Sequence, residues 1–263
     1  GEVVDAGANG YHGQSVGGAA TMAGKICQGG DFRFQSTASQ YDRVRLDDRA
    51  LNGLGDFSIS VWVKAPSANG GAFMSILSGA NASLNNEALL GIENSRISAH
   101  IHNTQAYLSN ALSIFDNNWH HLVWTRSGTN HCAYVDGAPA LCATINGTSA
   151  ALNVAGGGLI VGQEQDAVGG NFDVNQDWEG QIDELMVFSG ALTTAEVAAG
   201  YANQNAGRNW TGTARSCPVA ATLIAQYRME DASWNGTSGE LKDTAGYTGG
   251  PFNGTAIGTP VPT

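Results

Sequence analysis

Alternation of apolar and polar positions dominates the chain and predicts strands rather than helices. In FSISVWVK (57–64), Phe57, Ile59, Val61 and Val63 fall on one face, and Ser58, Ser60, Trp62 and Lys64 on the other. That is the period of two of a pleated strand. The same rhythm predicts strands at 73–78, 88–93, 96–102, 119–126, 131–135, 140–145, 158–162 and 180–188. Short strands parted by Gly, Asn and Asp turns predict an all-β fold, an antiparallel β-sandwich of jelly-roll type. One segment, TTAEVAAGYANQ (193–204), predicts a short helix, because Thr193 and Glu196 stand at capping-box spacing.

Asp136-Gly137, between AYV and APAL, is a strong hairpin signal. Antiparallel pairing around it brings Cys132 and Cys142 across from each other and favours a bridge; Cys27 and Cys217 then pair by elimination. The alternative is four reduced thiols in a cytoplasmic protein, and the absence of any CxxC pair argues against zinc. The bridged reading predicts an exported protein, extracellular or at a cell surface.

Composition narrows the picture further. Lys and Arg total 12 against 23 Asp and Glu among 263 residues, a formal charge of −11. This excludes the basic footprint that a nucleic-acid binder needs. No run approaches the roughly eighteen apolar residues of a membrane helix, so membrane insertion is not expected. The chain opens at Gly1 within sequence that reads as structured, which predicts a mature or excised piece of something longer.

The acidic excess concentrates in one place. GQEQDAVGGNFDVNQ (162–176) carries Gln163, Glu164, Gln165, Asp166, Asn171, Asp173, Asn175 and Gln176 with no Lys or Arg. Crowded carboxylates repel, and a hard cation that takes carboxylate and amide oxygens relieves this. A solvated acidic loop is the alternative.

The opening GEVVDAGANGYHGQSVGGA resembles GELKDTAGYTGGPFNGTAIG (239–258), so the start of a domain occurs twice. Only the second copy follows a strand-like TLIAQYRMEDASWNGTS. The expected organisation is therefore a sandwich over 1–203, a Gly-, Asn- and Thr-rich linker at 204–221, and a C-terminal segment at 222–263. That segment completes its own sandwich, completes a neighbouring molecule's, or begins a further module.

DFSISVWVK, WHHLVWTRSG…CAYVDG, IVGQ and GQIDELMVFSGALTTAEVAAGY occur in an order that resembles the laminin-G-like domain of the concanavalin A-like lectin superfamily. Residues 162–192 resemble its pentraxin branch, as used in bacterial surface and pilus-associated adhesins of similar composition. The resemblance implies two neighbouring Ca2+ ions. Glu164 and Asp166 would bridge both, Gln165 would give its backbone carbonyl, and Asp173 and Gln176 would complete the second ion. Asn85 and Asn86 would come from an upstream loop, where Asn85 replaces an Asp of the family and weakens the first ion's site. Two departures limit what else transfers. Gly91 stands near the position of a family aromatic, and Ile59 and Val61 stand where an inter-sheet cysteine would be sought.

Catalysis finds little support. Asp183 and Glu184 of QIDEL are adjacent rather than two apart, and Gln181 stands where a glycosidase's first acid is needed. His100 and His102 share a face of the predicted 96–102 strand and offer a transition-metal pair or two polar-face histidines. His120 and His121 read as packing or hydrogen-bonding groups. Trp178, Trp210 and Trp234 are candidates for sugar stacking or for packing. Five glycosylation sequons begin at Asn81, Asn146, Asn209, Asn235 and Asn253 and read as incidental.

The expected function is a non-enzymatic, exported, calcium-binding adhesion or recognition module for a glycan or another surface ligand. The alternatives are a filament subunit joined head to tail with copies of itself by strand donation from 222–258 and, more remotely, a glycoside hydrolase.

Overall fold

The computed structural model describes residues 2–33, 42–66, 73–173 and 175–217, with single positions at 244, 251 and 253. The chain divides into two compact units, Gly1–Cys217 and Pro218–Thr263. Apart from those single positions, the second copy of the repeated opening lies outside the described residues, as do Trp234 and the Asn235 sequon.

The strands, in chain order, are β1 (Glu2–Val3), β2 (Gly13–Val16), β3 (Ala20–Ala23), β4 (Gln28–Asp31), β5 (Arg43–Leu46), β6 (Phe57–Lys64), β7 (Phe73–Gly79), β8 (Ala88–Glu93), β9 (Arg96–Ile101), β10 (Thr104–Tyr107), β11 (His120–Ser127), β12 (Asn130–Val135), β13 (Ala138–Thr144), β14 (Leu159–Val161) and β15 (Gln181–Ser189). They form an eight-stranded sheet, β1-β2-β5-β14-β7-β8-β9-β10, and a seven-stranded sheet, β13-β12-β11-β6-β15-β4-β3. The pairs that build both are antiparallel. The predicted β-sandwich is therefore the fold, with one α-helix among the described residues, α1 (Thr194–Asn205), capped by the Thr193–Glu196 box as expected.

The inward faces of both sheets build one core. Phe57, Ile59, Val61 and Val63 from β6 meet Ile76, Leu90, Ile97 and Ile101 from the opposite sheet. Ile59 and Val61 thus fill the core without a cysteine. The other face of β6 departs from expectation. Ser58, Ser60 and Trp62 are buried as well, because α1 and the segment after it cover this face. Trp62 stacks on Tyr201 and donates its indole N–H to Gln204 Oε1 at 2.9 Å. His121 on β11 shares this layer and contacts Ser60 Oγ at 2.8 Å through Nε2.

Three two-residue turns fix the hairpins. Asp136–Gly137, Asn94–Ser95 and His102–Asn103 each hold two consecutive positive φ values, the type I′ geometry that matches strand twist. The first sets Cys132 opposite Cys142 in the β12–β13 ladder, and the two form a disulfide. Cys27 is bridged to Cys217 across 190 residues of sequence, a closure worth about 5 kcal/mol on chain-entropy grounds. This second bridge bears on the expected linker. Residues 206–217 are folded against the sandwich, with Trp210 under Gly200 and against Phe188 and Arg215 paired with Glu184.

Candidate functional site

The acidic loop leaves β14 and runs to β15. Its first residues are deeply buried: Gln163, Glu164 and Gln165 expose 0, 4 and 0%. Gly162 (φ +86°) starts the turn against the Phe32 ring. Hydrogen bonds then fold the loop on itself: Gln163 Nε2 donates to Asp173 O at 2.7 Å and Gln176 N–H to Asp173 O at 3.1 Å. Gln176 O in turn accepts from Ser75 N–H on β7 at 3.3 Å. Asp173 also accepts from both the backbone and the side-chain N–H of Asn175, at 2.9 Å each.

The upstream pair is held by a second device. The His102–Asn103 turn directs Asn103 at the 81–87 loop, where Asn103 Oδ1 accepts from Asn86 N–H and Asn86 O accepts from Asn103 N–H, both at 2.9 Å. Buried Glu87 fixes the loop from beneath, accepting from Asn153 N–H at 2.5 Å and Asn81 Nδ2 at 3.2 Å, with His102 Nε2 3.3 Å away. The two loops then meet, Asn85 Nδ2 donating to Asp166 Oδ1 at 2.9 Å. A cleft of about 290 Å³ opens at this junction between Asn81–Asn85 and Asp166–Val168.

Four buried side-chain oxygens in this region have no hydrogen-bond partner: Asn86 Oδ1, Gln163 Oε1, Glu164 Oε2 and Gln176 Oε1. Orphaned buried acceptors are costly, about 1–3 kcal/mol each. Glu164 is the extreme case, since burial, reinforced by the negative charges of Asp166 and Asp173, pushes its carboxyl up to about 7. Among the described residues no three His, Cys, Asp or Glu side chains are grouped to hold a metal by themselves. Amide oxygens must complete any donor set here. The set available is all oxygen, part carboxylate and part amide, which fits a hard divalent cation and not a softer one.

The expected site residues are thus brought together, with differences of role. The Gln165 side chain is already engaged, because its amide donates to Ser78 O and Gly158 O and its Oε1 accepts from Gly169 N–H. Gln163 was not in the expected ligand set, yet its Oε1 is one of the orphans. Its place beside Glu164 in GQEQD was the only available sequence signal, and nothing there distinguished it from structurally satisfied Gln165.

Other candidates disperse. His102 lies in the turn beyond β9, not on its face, so it diverges from His100, which packs edge-on to Phe73 and whose proton affinity burial lowers. The space a side chain at Gly91 would take is filled by the Phe73 ring. Trp178 is a core residue, 1% exposed, bonded to Gln181 O. Trp210 packs under α1. Asp183 is buried and Glu184 half-buried, with Glu184 at φ +48° in a bulge of β15. Asp183 accepts from Ile26 N–H at 2.9 Å and Glu184 N–H at 2.8 Å, and Glu184 meets Arg215 at 2.7 Å and Gln204 at 3.0 Å. Their acceptor capacity is spent on holding the chain together.

Comparison with known proteins follows the same line. The laminin G-like model of the concanavalin A-like lectin/glucanases superfamily matches residues 38–198. The chain belongs to that superfamily. Pentraxin-4 of Homo sapiens is 30% identical over 184 residues, covering 67% of this chain and 37% of that protein. The neuronal pentraxin receptor of Homo sapiens is 33% identical over 172 residues, covering 62% and 32%. The chain therefore spans about a third of the length of these relatives. Among solved structures, the native heptameric SAP-like pentraxin from Limulus polyphemus superposes with TM-score 0.53 at 22% identity, covering 60% of this chain and 75% of that one. Domain 4 of a GH43 extracellular arabinanase from Geobacillus stearothermophilus, in complex with arabinotriose, gives TM-score 0.52 at 20% identity, covering 71% and 86%. At these identities the structural likenesses establish the fold alone.

Proposed function

We propose that this chain is a calcium-dependent recognition module of an extracellular or cell-surface protein, binding a saccharide or similar surface ligand without catalysing its conversion. The observation that carries this reading is the group of four unpartnered buried oxygens on Asn86, Gln163, Glu164 and Gln176, beside the exposed carboxylates of Asp166 and Asp173. Calcium would supply charge neutralisation and coordination positions for a ligand's hydroxyl or carboxylate oxygens. The chain's own residues do the rest. Glu164, Asp166, Asp173, Gln163, Gln176, Asn86 and the Gln165 main chain would hold the ion. The His102–Asn103 turn and Glu87 keep the upstream loop in place, and the cleft at Asn81–Asn85 offers a ligand room beside the ion.

Asn85 has a double role in this reading. Its amide screens Asp166 when the ion is absent, and it supplies no negative charge when the ion is present. The arabinotriose of the arabinanase domain and the pentraxin relatives support a saccharide-binding, non-enzymatic role, as does the structural employment of Asp183 and Glu184. Two disulfides and the extracellular setting named for the arabinanase support export.

The test is calcium titration calorimetry on chelator-stripped protein, with thermal melting alongside. Binding heat together with a rise in melting temperature, both lost in Asp166→Ala, is expected; at a hundred-fold excess over Kd the stabilisation is about 2.7 kcal/mol. Absence of heat with unchanged melting would reduce the loop to a hydrated acidic turn. Calcium-dependent retention on glycan resin, reversed by chelator, tests the ligand class.

A further inference from the structure

The Cys27–Cys217 bridge divides the chain into parts that a pull would treat differently. The two Cα atoms lie 5.2 Å apart, although 190 residues of sequence separate them. Tension carried along the polypeptide from before Cys27 to beyond Cys217 therefore passes through the sulfur–sulfur bond, and residues 28–216 hang from it as an unloaded loop. We propose that the bridge is a tension shunt: residues 1–26 yield to a pull along the chain, while the sandwich body and its binding loops stay folded.

The contents of the two parts fit these roles. The buried residues of the main core run from Phe32 to Ile182, and those of the smaller cluster from Val123 to Val197, all inside the bridged loop. Asn85, Asn86 and the acidic loop lie there too. Ahead of Cys27, Ile26 alone is buried among the described residues. Apolar burial, the main favourable term in folding, is thus concentrated in the part that bears no load. β1, β2 and β3 also occupy sheet margins, since β1 and β2 end one sheet and β3 ends the other. Stripping them makes β5 and β4 the new edges and parts no other strands.

Peeling also meets a stop just before the bridge. Ile26 N–H donates to Asp183 Oδ2 at 2.9 Å, and Lys25 Nζ to Asn205 Oδ1 at 2.7 Å. Residues 25 and 26 are thereby tied to β15 and to the end of α1. No metal enters this device, which stands whether or not the acidic loop binds calcium.

The experiment is single-molecule stretching of the full chain in chelator, with handles at Gly1 and Thr263 and complete oxidation checked by thiol titration. In non-reducing buffer the extension should stop by about 250 Å, the most that residues 1–26 and 218–263 can supply. Cys27→Ser/Cys217→Ser should add about 650 Å, as residues 28–216 enter the load path. Should that variant fail to fold, reductant added to the stretched parent gives the same length, because Cys217 is exposed to an attacking thiol. The rate of this release reports whether the body was still folded. A rate that reaches a plateau as reductant is raised, with the plateau climbing as load climbs, is expected, because the freed body must still unfold. A rate proportional to reductant at every load, down to the one that first peels residues 1–26, would mean that the body came apart with them and would overturn the proposal. Extension well past 250 Å in fully oxidised protein would overturn it too.

Discussion

Two pairs of acidic residues, twenty residues apart in sequence and each with one member buried, meet opposite fates. Asp183 and Glu184 in the β15 bulge are surrounded by backbone N–H groups, the Gln204 amide and the Arg215 guanidinium. Burial still raises both carboxyls, but backbone N–H groups counteract it at Asp183 and Arg215 at Glu184. Glu164, with Asp166 beyond it, has neighbours of its own charge sign and a buried oxygen with no partner. The first pair is complete as the chain folds. The second becomes complete only with something the chain does not carry. Burial of a carboxylate therefore does not by itself mark a site here; the unmet remainder of its hydrogen-bonding and charge requirement does.

Breaking the complete pair should have the largest effect. Arg215→Ala leaves Glu184 buried without its cation, which should lower stability by about 2–3 kcal/mol, discounted because the Arg215 side chain is 30% exposed. Urea unfolding checks this. A loss below about half a kcal/mol would mean that the Gln204 amide suffices for Glu184, and that the pair differs little from the Glu164 region.

Neutralising the incomplete pair should act in the opposite direction. Glu164→Gln, without calcium at pH 8, should stabilise the protein by about 1–3 kcal/mol. The Glu164 carboxyl is raised from 4.5 to about 7 in the fold. Its protonated form is thus favoured by folding, and the advantage is full below about 4.5 and lost as pH rises through about 7. The parent protein without calcium should then lose stability between pH 5 and pH 8 relative to Glu164→Gln, as melting at each pH would reveal. Parallel profiles for the two proteins would place Glu164 in a better-solvated setting than its 4% exposure implies.

Sequence pattern made the sandwich legible wherever strands alternate strictly. The strands at 57–64, 73–79 and 88–93 carry enough Ile, Leu, Val and Phe on one face to signal themselves. β2, β3 and β4 did not, because GQSV, ATMA and QGGD are too small or polar to show a period. Their pairing is dictated by neighbours such as β5 and β15, which is tertiary information. Trp62 and Ser60 looked outward for a related reason. The helix that covers them lies far along the chain, and the cover itself is fastened by a bridge between Cys27 and Cys217. The loop chemistry was legible by residue type, since crowded Gln, Glu and Asp without Lys or Arg can be counted. Which oxygens are used up was not: Gln163 and Gln165 read alike, yet one leaves an orphaned acceptor and the other is fully engaged.

The smallest expected effect sharpens the comparison most. Asn85 lends Asp166 a neutral donor across the two loops, its Nδ2 2.9 Å from Asp166 Oδ1. Asn85→Asp removes that donor and adds a third negative charge beside Asp166 and Glu164. Without calcium the variant should lose about 0.5–1 kcal/mol, as surface like-charge contacts of this kind do. With calcium the added carboxylate becomes a further ligand or a nearby counter-charge, and affinity should rise by about five-fold. Opposite signs in the two conditions are what an incomplete acidic site requires, because the same charge is a liability to the bare chain and an asset to the loaded one. Calorimetry and melting on the one variant measure both signs. A loss of stability in both conditions would place Asn85 outside the ion's reach, leaving the Asn86 carbonyl as the upstream loop's contribution.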